Sequence, residues 1–187
     1  MRFIAVFLVV FSSHINAQES DIIDSLKNEL LNSSDSIHQI ILIDLSWEYA
    51  YSNIDSAKHY GVAGLNLAQK RNNTDDIARS KSMLAIVFDI NGEVREAAKL
   101  YVEVAKYYES KNDIAELSKT YNNLGVLFYY NQDYDKSEEY FVKSMTMDKQ
   151  IGDSLGVASS LINLAAIANY KEDYVTSFDH LKKAEKI

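Results

Sequence analysis

The chain contains no cysteine and no proline. Without cysteine it cannot form disulfides, thiolate metal sites, a cysteine nucleophile or the cysteine-linked anchor of a bacterial lipoprotein. Because there is no proline, no helix of the chain is kinked or broken by a proline ring. Glycine is scarce, and the six glycines are scattered along the 187 residues, so none of them builds a phosphate-binding loop.

Basic residues are in the minority, with 19 Lys and Arg against 27 Asp and Glu and a net charge of -8. No stretch gathers the lysines and arginines that phosphate contacts require. An acidic surface also repels nucleic acid and anionic lipid. We therefore expect no nucleic-acid binding by this segment, and membrane attachment only through an anchor further along the chain.

Residues 1–17 have the layout of a secretory signal peptide. Arg2 precedes an apolar run at residues 3–11, and a polar segment then ends at the small residue Ala17. The run is too short to span a bilayer, which takes about 20 residues. Cleavage near Ala17 is therefore favoured over an uncleaved membrane anchor. We expect a periplasmic or secreted mature chain, tethered to the inner membrane only if the chain continues.

A register of similar residues recurs about every 40 positions. Residues 54–60, 94–100, 134–140 and 174–180 each begin with an apolar residue, followed three positions later by a small one: Ala57, Ala97, Ser137 and Ser177. Leucine followed by a small residue recurs at 84–85, 124–125 and 164–165, and turn residues recur at Asn72, Asn112 and Gly152. A whole register at fixed spacing predicts a tandem repeat.

Each repeat is predicted to form two helices, because apolar residues fall three and four positions apart and polar clusters interrupt the pattern. After a lead-in helix at 20–31, the predicted helices cover residues 35–51, 54–70, 75–90, 94–110, 114–130, 134–150, 155–170 and 174–187. The small residues, such as Gly125 and Ser137, are expected where two helices cross at about 8–10 Å. Tyr121, Phe128, Tyr134 and Phe141 are assigned to the hairpin core.

The units resemble tetratricopeptide repeats. The pattern W-x2-L-G-x2-Y…A-x3-F is met best by Tyr121, Leu124, Gly125, Phe128, Ser137 and Phe141. The resemblance implies an all-α fold, a right-handed superhelical solenoid of antiparallel helix hairpins. Four units are expected near residues 35–71, 75–111, 114–151 and 155–187, after an N-terminal helix and lead-in at 18–34. The period exceeds the usual value of about 34 residues, which resembles the long-helix variant of bacterial signalling proteins.

A signal peptide followed by such repeats is also similar to the extracytoplasmic N-terminal array of sensor kinases and LuxR-type regulators in Bacteroidetes-like bacteria. In that arrangement a membrane helix and a cytoplasmic output module follow the array. The last predicted helix leaves Phe178, Leu181 and Ala184 available to pack against a further element. We therefore expect a chain truncated at its C-terminus. The alternative to a self-contained binding scaffold is thus the sensory or dimerising part of a membrane-bound signalling protein.

No residue pattern indicates catalysis, a metal or a cofactor. His38, His59 and His180 lack a second histidine at metal-ligand spacing. The acidic pairs at 75–76 and 138–139 lie early in predicted helices, where carboxylates favour the positive end of the helix dipole. No serine stands in a nucleophile-elbow context. We expect these residues to form no enzyme, although the resemblance allows a kinase module downstream.

The predicted function is the binding of a protein or peptide. In tetratricopeptide arrays the first helix of each unit lines a concave groove that takes extended peptides or partner helices. The register directs twelve residues toward this groove: Arg79, Ser82, Ile86, Asp89, Lys119, Asn122, Val126, Tyr129, Ser159, Ile162, Ala166 and Asn169. Trp47 is either a further groove anchor or packed beneath the N-terminal helix. The basic and amide residues that clamp chaperone tails in some family members are not reproduced.

Overall fold

The computed structural model describes residues 21–187, apart from the side chains of residues 35 and 36, and all regular secondary structure in this part is helical. Helix α1 covers residues 21–32. The helices that follow are α2 (Asp35–Glu48), α3 (Ile54–Lys70), α4 (Thr74–Ile90), α5 (Val94–Lys111), α6 (Ile114–Tyr130), α7 (Tyr134–Ile151), α8 (Ser154–Tyr170) and α9 (Tyr174–Ala184). The predicted all-α class is confirmed. The predicted signal peptide lies outside the described residues, and within 21–187 no helix has the length and hydrophobicity needed to cross a membrane.

The chain divides into two compact units at the boundary between Asn91 and Gly92. In the first unit α2 packs against α3, α3 against α4, and α2 also contacts α4. In the second unit each helix packs against the next one along the chain, from α5 to α9. Packing between sequence neighbours is typical of helical repeats. Three of the predicted hairpins, α2–α3, α6–α7 and α8–α9, therefore pack as expected, whereas the predicted unit at 75–111 spans the boundary between the two compact units.

Most predicted helix bounds agree with the structure to within one residue, and the two exceptions are C-terminal. Helix α2 ends at Glu48 rather than at 51, because the chain turns at Tyr49, whose carbonyl accepts the Asn53 N–H at 2.9 Å. Helix α9 ends at Ala184 rather than at 187. The starts are better defined, since an asparagine or aspartate side chain accepts first-turn N–H groups in six helices. These residues are Asn53, Asn73, Asp113, Asp133, Asp153 and Asp173.

A close helix crossing organises the α6–α7 hairpin. A Cβ atom placed on Gly125 would lie 2.7 Å from two ring atoms of Phe141, so only glycine lets α7 approach this closely. The Ser137 hydroxyl donates to the Gly125 carbonyl at 2.8 Å across the same crossing. Phe141, 1% exposed, packs with Leu164 and Ile167 of α8. The crossing thus fixes α7 against α6 and presents Phe141 to the next hairpin.

The same hydroxyl-to-carbonyl link joins two other hairpins. Ser177 of α9 donates to the Ala165 carbonyl of α8 at 2.9 Å. In the α2–α3 hairpin the donor is on the first helix, where Ser46 reaches the Ala57 carbonyl at 2.8 Å. The sequence indicates the small size of these residues but not the hydrogen bond that they make.

We predict that Gly125→Ala destabilises the protein relative to Gly64→Ala. Both substitutions bring the same gain in helix propensity, about 1 kcal/mol. At Gly64 the new Cβ would lie 3.5 Å from its nearest neighbour, which is ordinary contact. At Gly125 it would collide with Phe141, and overpacking of this kind costs about 1–3 kcal/mol. Urea unfolding of the two variants measures the difference, and equal stabilities would show that the crossing is misplaced.

Candidate functional site

Eight of the predicted groove residues lie along α6 and α8 of the second unit, and none of them is buried. They are Lys119, Asn122, Val126 and Tyr129 of α6, and Ser159, Ile162, Ala166 and Asn169 of α8. The two helices are linked on this side by the Asn163 side chain, which donates from Nδ2 to Asn122 Oδ1 at 3.3 Å. We call this surface the α6–α8 face. On each helix the four residues are three or four positions apart, so they share one side of that helix.

A polar pocket of about 350 Å³ opens on this face where α6, α7 and α8 meet. Its lining residues are Ser118, Lys119, Asn122, Asn123, Ser144, Asp148, Asp153, Gly156 and Ser159. Three of them, Lys119, Asn122 and Ser159, are predicted groove residues. The residues from α7 were not predicted to contribute, because the prediction assigned the groove to first helices alone.

Three buried polar residues form one side of the polar pocket, and we call them the polar trio: Ser118, Ser144 and Asp148. Asp148 is 5% exposed, and its Oδ1 accepts a short hydrogen bond from the Ser118 hydroxyl. Ser144 Oγ lies 3.0 Å from Ser118 Oγ and 3.5 Å from Asp148 Oδ2. Two hydroxyl groups therefore solvate a carboxylate that is almost removed from water.

Lys119 stands at the rim of the polar pocket with its amine directed into an ion pair. Its Nζ donates to Glu116 Oε1 at 2.6 Å, and 70% of the lysine side chain is exposed. That hydrogen bond is the main reason why the pKa of Lys119 is raised. Exposed pairs contribute little to stability. The amine is thus a charged group at the rim, already partnered by a carboxylate.

A second, largely apolar pocket of about 120 Å³ lies further along α6. It is lined by Val126, Tyr129, Tyr130, Phe141, Asn163 and Ala166. The Tyr129 ring also makes edge contacts with Tyr134 and Tyr170, at centroid distances of 5.7 and 6.0 Å. Tyr129 therefore both packs against neighbouring rings and lines the accessible face.

The remaining aromatic residues of α6 and α7 form a separate cluster. Tyr140 stacks on Phe128 at 5.6 Å and lies 6.0 Å from Tyr121, and the Lys143 amine is 4.9 Å from the Tyr140 centroid. Phe141 is buried as predicted, but Tyr121, Phe128 and Tyr134 are only partly buried. The hairpin core is therefore narrower than predicted, because stacked rings cover each other at its edge.

In the first unit the predicted groove residues are less accessible. Arg79 is exposed and lies 3.8 Å from Asp76, while Ser82, Ile86 and Asp89 are partly buried. Burial raises the pKa of the Asp89 carboxyl. Trp47 is 48% exposed and meets Tyr51 edge-on at 6.4 Å.

The alternative position for Trp47, beneath the N-terminal helix, is occupied by other residues. Ile23 of α1 packs there with Ile41 and Leu45 of α2. Leu26 and Leu30 of α1 also pack against this cluster. Trp47 is therefore half exposed on the surface of the first unit and is not part of the core beneath α1.

Other polar groups of the described chain make local contacts. His38 Nε2 lies 3.1 Å from the Ser33 carbonyl, and the His59 ring packs edge-on against Tyr60. Within residues 21–187 no three His, Asp or Glu side chains are grouped so as to hold a metal ion. On α9, Phe178 and Leu181 are exposed, as the sequence pattern predicts.

The family model described as "Tetratricopeptide repeat" matches residues 116–187. The matched segment contains nearly all of α6 and the whole of α7, α8 and α9, so it includes the α6–α8 face. No curated protein matches the chain.

Solved structures share the fold at low sequence identity. A signal transduction ATPase with numerous domains and a tetratricopeptide repeat sensor, from Pyrococcus horikoshii, has a TM-score of 0.80 and 16% identity over 94% of this chain and 28% of its own. A Rap protein complexed with competence and sporulation factor has a TM-score of 0.74 and 15% identity, covering 93% of this chain and 51% of that one. NprR in complex with its cognate peptide NprX has a TM-score of 0.68 and 18% identity, covering 90% and 50%. The chain spans about half or less of these three proteins, and the fold is that of tetratricopeptide-repeat solenoids.

We predict that Tyr129→Ala lowers the free energy of unfolding by about 1–3 kcal/mol, because the ring packs against Tyr134 and Tyr170. The adjacent Tyr130 is 76% exposed and serves as the control. Tyr130→Ala should change stability by about 0.5 kcal/mol or less. Chemical denaturation measures both variants. Equal effects would mean that the contacts of Tyr129 contribute no more than those of an exposed ring.

Proposed function

We propose that this chain is a protein-interaction module whose α6–α8 face binds an extended peptide or protein segment. The observation that carries the proposal is the pair of neighbouring pockets on that face, one polar and one largely apolar. Both are lined by α6, through Asn122 in the polar pocket and Val126 in the apolar one. Concave sites with mixed polar and apolar lining are the usual form of a ligand site.

The spacing of the pockets suits an extended chain. Their α6 residues are centred about eight positions apart, which corresponds to about 12 Å at 1.5 Å per residue. Residues i and i+4 of an extended peptide are about 13 Å apart and point to the same side. A peptide that lies along α6 therefore has side chains at the right interval to enter both pockets.

The surface between the pockets has groups that suit a peptide backbone. The Asn122 and Asn163 side chains each carry a carbonyl oxygen and an NH2 group, so they can accept and donate hydrogen bonds. Their mutual bond, 3.3 Å long, uses only part of that capacity. Support by analogy of fold comes from NprR, which is solved with its cognate peptide. Tetratricopeptide arrays present first helices on a concave groove.

The proposal predicts that Ile162→Asp weakens peptide binding by about tenfold or more, since an exposed apolar contact at the centre of an interface is worth more than about 1 kcal/mol. Ile162 is 52% exposed on α8, and its helical neighbours Ser159 and Ala166, three and four positions away, line the polar and the apolar pocket. The matched control is Val142→Asp, because Val142 is 43% exposed on the second helix α7 and its neighbours three and four positions away line neither pocket. Peptides are first selected on the wild-type protein from a random dodecamer phage library.

Fluorescence anisotropy with the selected, labelled peptides then compares the two variants. Loss of affinity in Ile162→Asp alone supports the α6–α8 face as the binding surface. Equal affinities, or an equal loss in both variants, would count against it. A library that yields no specific peptide would count against the proposed function itself.

A second candidate is the sensory part of a longer, membrane-bound signalling protein, a histidine kinase or a LuxR-type regulator. It is favoured by the fold shared with the tetratricopeptide repeat sensor of the signal transduction ATPase. It requires that the array be exported, which the N-terminal pattern predicts. Under this candidate the groove binds the signal and the output module follows in sequence.

Export predicts that the mature protein begins near Gln18 after expression in a Gram-negative host. Mass spectrometry of the periplasmic fraction measures the new N-terminus. Leu8→Arg, which interrupts the apolar run, should abolish the processing. An unprocessed cytoplasmic chain would contradict the export. Reading the coding sequence beyond codon 187 separates the two candidates, because a stop codon there leaves no output module.

A further inference from the structure

The polar trio places a carboxylate where the earlier second helices of the chain carry none. Helices α3, α5 and α7 begin at Ile54, Val94 and Tyr134, so residues at equal distances from these starts occupy equivalent places. The places of Asp148 and Ser144 in α7 are held by Ala68 and Gly64 in α3, and by Tyr108 and Val104 in α5. At the place of Ser118 in α6, α4 and α8 carry Ala78 and Ala158, whereas α2 carries the buried Gln39. Buried polar side chains therefore recur in the array, but neither α3 nor α5 has a carboxylate at the place of Asp148.

A buried carboxylate that the architecture does not need calls for another explanation. Removing a charged group from water is unfavourable unless hydrogen bonds and an opposite charge compensate for it. The Asp148 carboxylate accepts a hydrogen bond from the Ser118 hydroxyl and a longer one, at 3.5 Å, from the Ser144 hydroxyl. Within residues 21–187 no lysine, arginine or histidine forms an ion pair with it. The carboxylate therefore has hydrogen bonds but no counter-ion.

The charges around the polar pocket leave it negative. Lys119 at the rim is partnered by Glu116 at 2.6 Å. Asp153, a further lining residue, uses Oδ1 to accept the Gly156 N–H at 3.0 Å as the cap of α8. Asp153 also helps to raise the pKa of Lys119, so that cation is shared between Glu116 and Asp153. Asp148 is therefore the lining carboxylate that has no ion pair. Such a pocket attracts a positively charged group.

The absence of a side chain at Gly156 leaves space for the Asp148 carboxylate. A Cβ at this position would lie 2.5 Å from the carboxyl carbon and from Oδ2 of Asp148. The equivalent places in α4 and α6 are Asp76 and Glu116, so glycine is peculiar to α8. The combination of a buried aspartate in α7 with a glycine in α8 holds the carboxylate at the wall of the pocket.

We propose that the polar pocket binds a primary ammonium or guanidinium group, and that on a bound peptide this group is a basic side chain or the N-terminal amine. The second clause rests on the proposed function, whereas the first does not. Asp148 supplies the opposite charge, and the side-chain oxygens of Asn122 and Asn123 are further acceptors on the lining. The volume of about 350 Å³ admits a small ligand group.

Three small probes test the pocket without a peptide ligand. N-acetyl-lysine methylamide carries only a side-chain ammonium, norleucine methylamide carries only an α-ammonium, and N-acetyl-norleucine methylamide carries no charge. Each is titrated into 15N-labelled protein, and the amide signals of Ser118 and Gly156 are followed. We expect one or both charged probes to shift these signals, and the one that does so identifies the source of the cation. No shift, or an equal shift by the neutral probe, overturns the proposal.

Asp148→Asn removes the charge with little change in shape and should weaken binding of the charged probe by about tenfold or more. Asp173→Asn is the matched control, because it removes the same charge from the exposed cap of α9, lines neither pocket, and asparagine is an equally good helix cap. It should change the affinity by about twofold or less, since exposed charges are screened. Equal effects of the two variants overturn the assignment to Asp148. If Asp148→Asn fails to fold, Asp148→Ala replaces it, with the residue that α3 carries at this place.

The phage selection provides a separate readout. Enrichment of lysine or arginine at one position on wild-type protein, and its loss on Asp148→Asn, supports the peptide clause. Peptides that bind without such enrichment overturn that clause and leave the proposed function standing. If no peptides are selected, the proposed function fails while the probe titration still decides whether the pocket binds a cation.

Discussion

The close approach of α7 to α6 at Gly125 is the constraint on which the second unit depends. It leaves no space for a Cβ atom, so Phe141 lies directly against the glycine backbone. The ring then extends to Leu164 and Ile167 and becomes the surface on which α8 packs. The α6–α8 face exists because one large side chain of α7 holds both of these helices. Recognition residues on α6 and α8 are thus positioned by a residue that does not itself belong to either helix.

Ser137 at the crossing of α6 and α7 provides a hydrogen-bond donor for a backbone carbonyl, which an alanine at this position could not provide. Two helices in such close contact exclude water from backbone carbonyls, which can accept a second hydrogen bond. Ser137 is fully buried and gives its hydroxyl proton to the Gly125 carbonyl, so a small polar residue fits where size alone would favour alanine. A buried hydroxyl is well tolerated only when it is hydrogen-bonded. The link is therefore a directional contact that adds to the packing of Phe141.

Helix positions were predictable from the sequence because three independent local signals coincide: apolar spacing, capping side chains and left-handed turn residues. Asn72, Asn112 and Gly152 were predicted as turn residues and have φ of 53°, 54° and 73°. Gln132 and Glu172 also have positive φ, 62° and 61°. Neither residue type favours that conformation, so the sequence gives no sign of it there.

The helical register could place residues on one side of a helix, and six of the eight predicted positions of α6 and α8 line one of the two pockets. It could not reveal the polar trio, because Ser144 and Asp148 lie on a second helix and are buried. Their positions become visible only when α6, α7 and α8 are packed together. A usable signal was nevertheless present, since Asp148 stands where α3 has Ala68 and α5 has Tyr108. A departure from a repeat is more informative about function than agreement with it.

A repeat protein can carry an unusual buried residue such as Asp148 in one repeat because of the way in which such proteins are stabilised. Each helix packs mainly against its neighbours in sequence, so the total stability is close to a sum of local terms. The unfavourable burial of a carboxylate at one junction therefore weakens that junction without disturbing the others. The crossing at Gly125 lies nearer the other end of α6, about seven residues or roughly 10 Å along the helix from Ser118 of the polar trio. A unit built in this way can keep a stable hairpin at one end of α6 and carry a charged recognition group at the other.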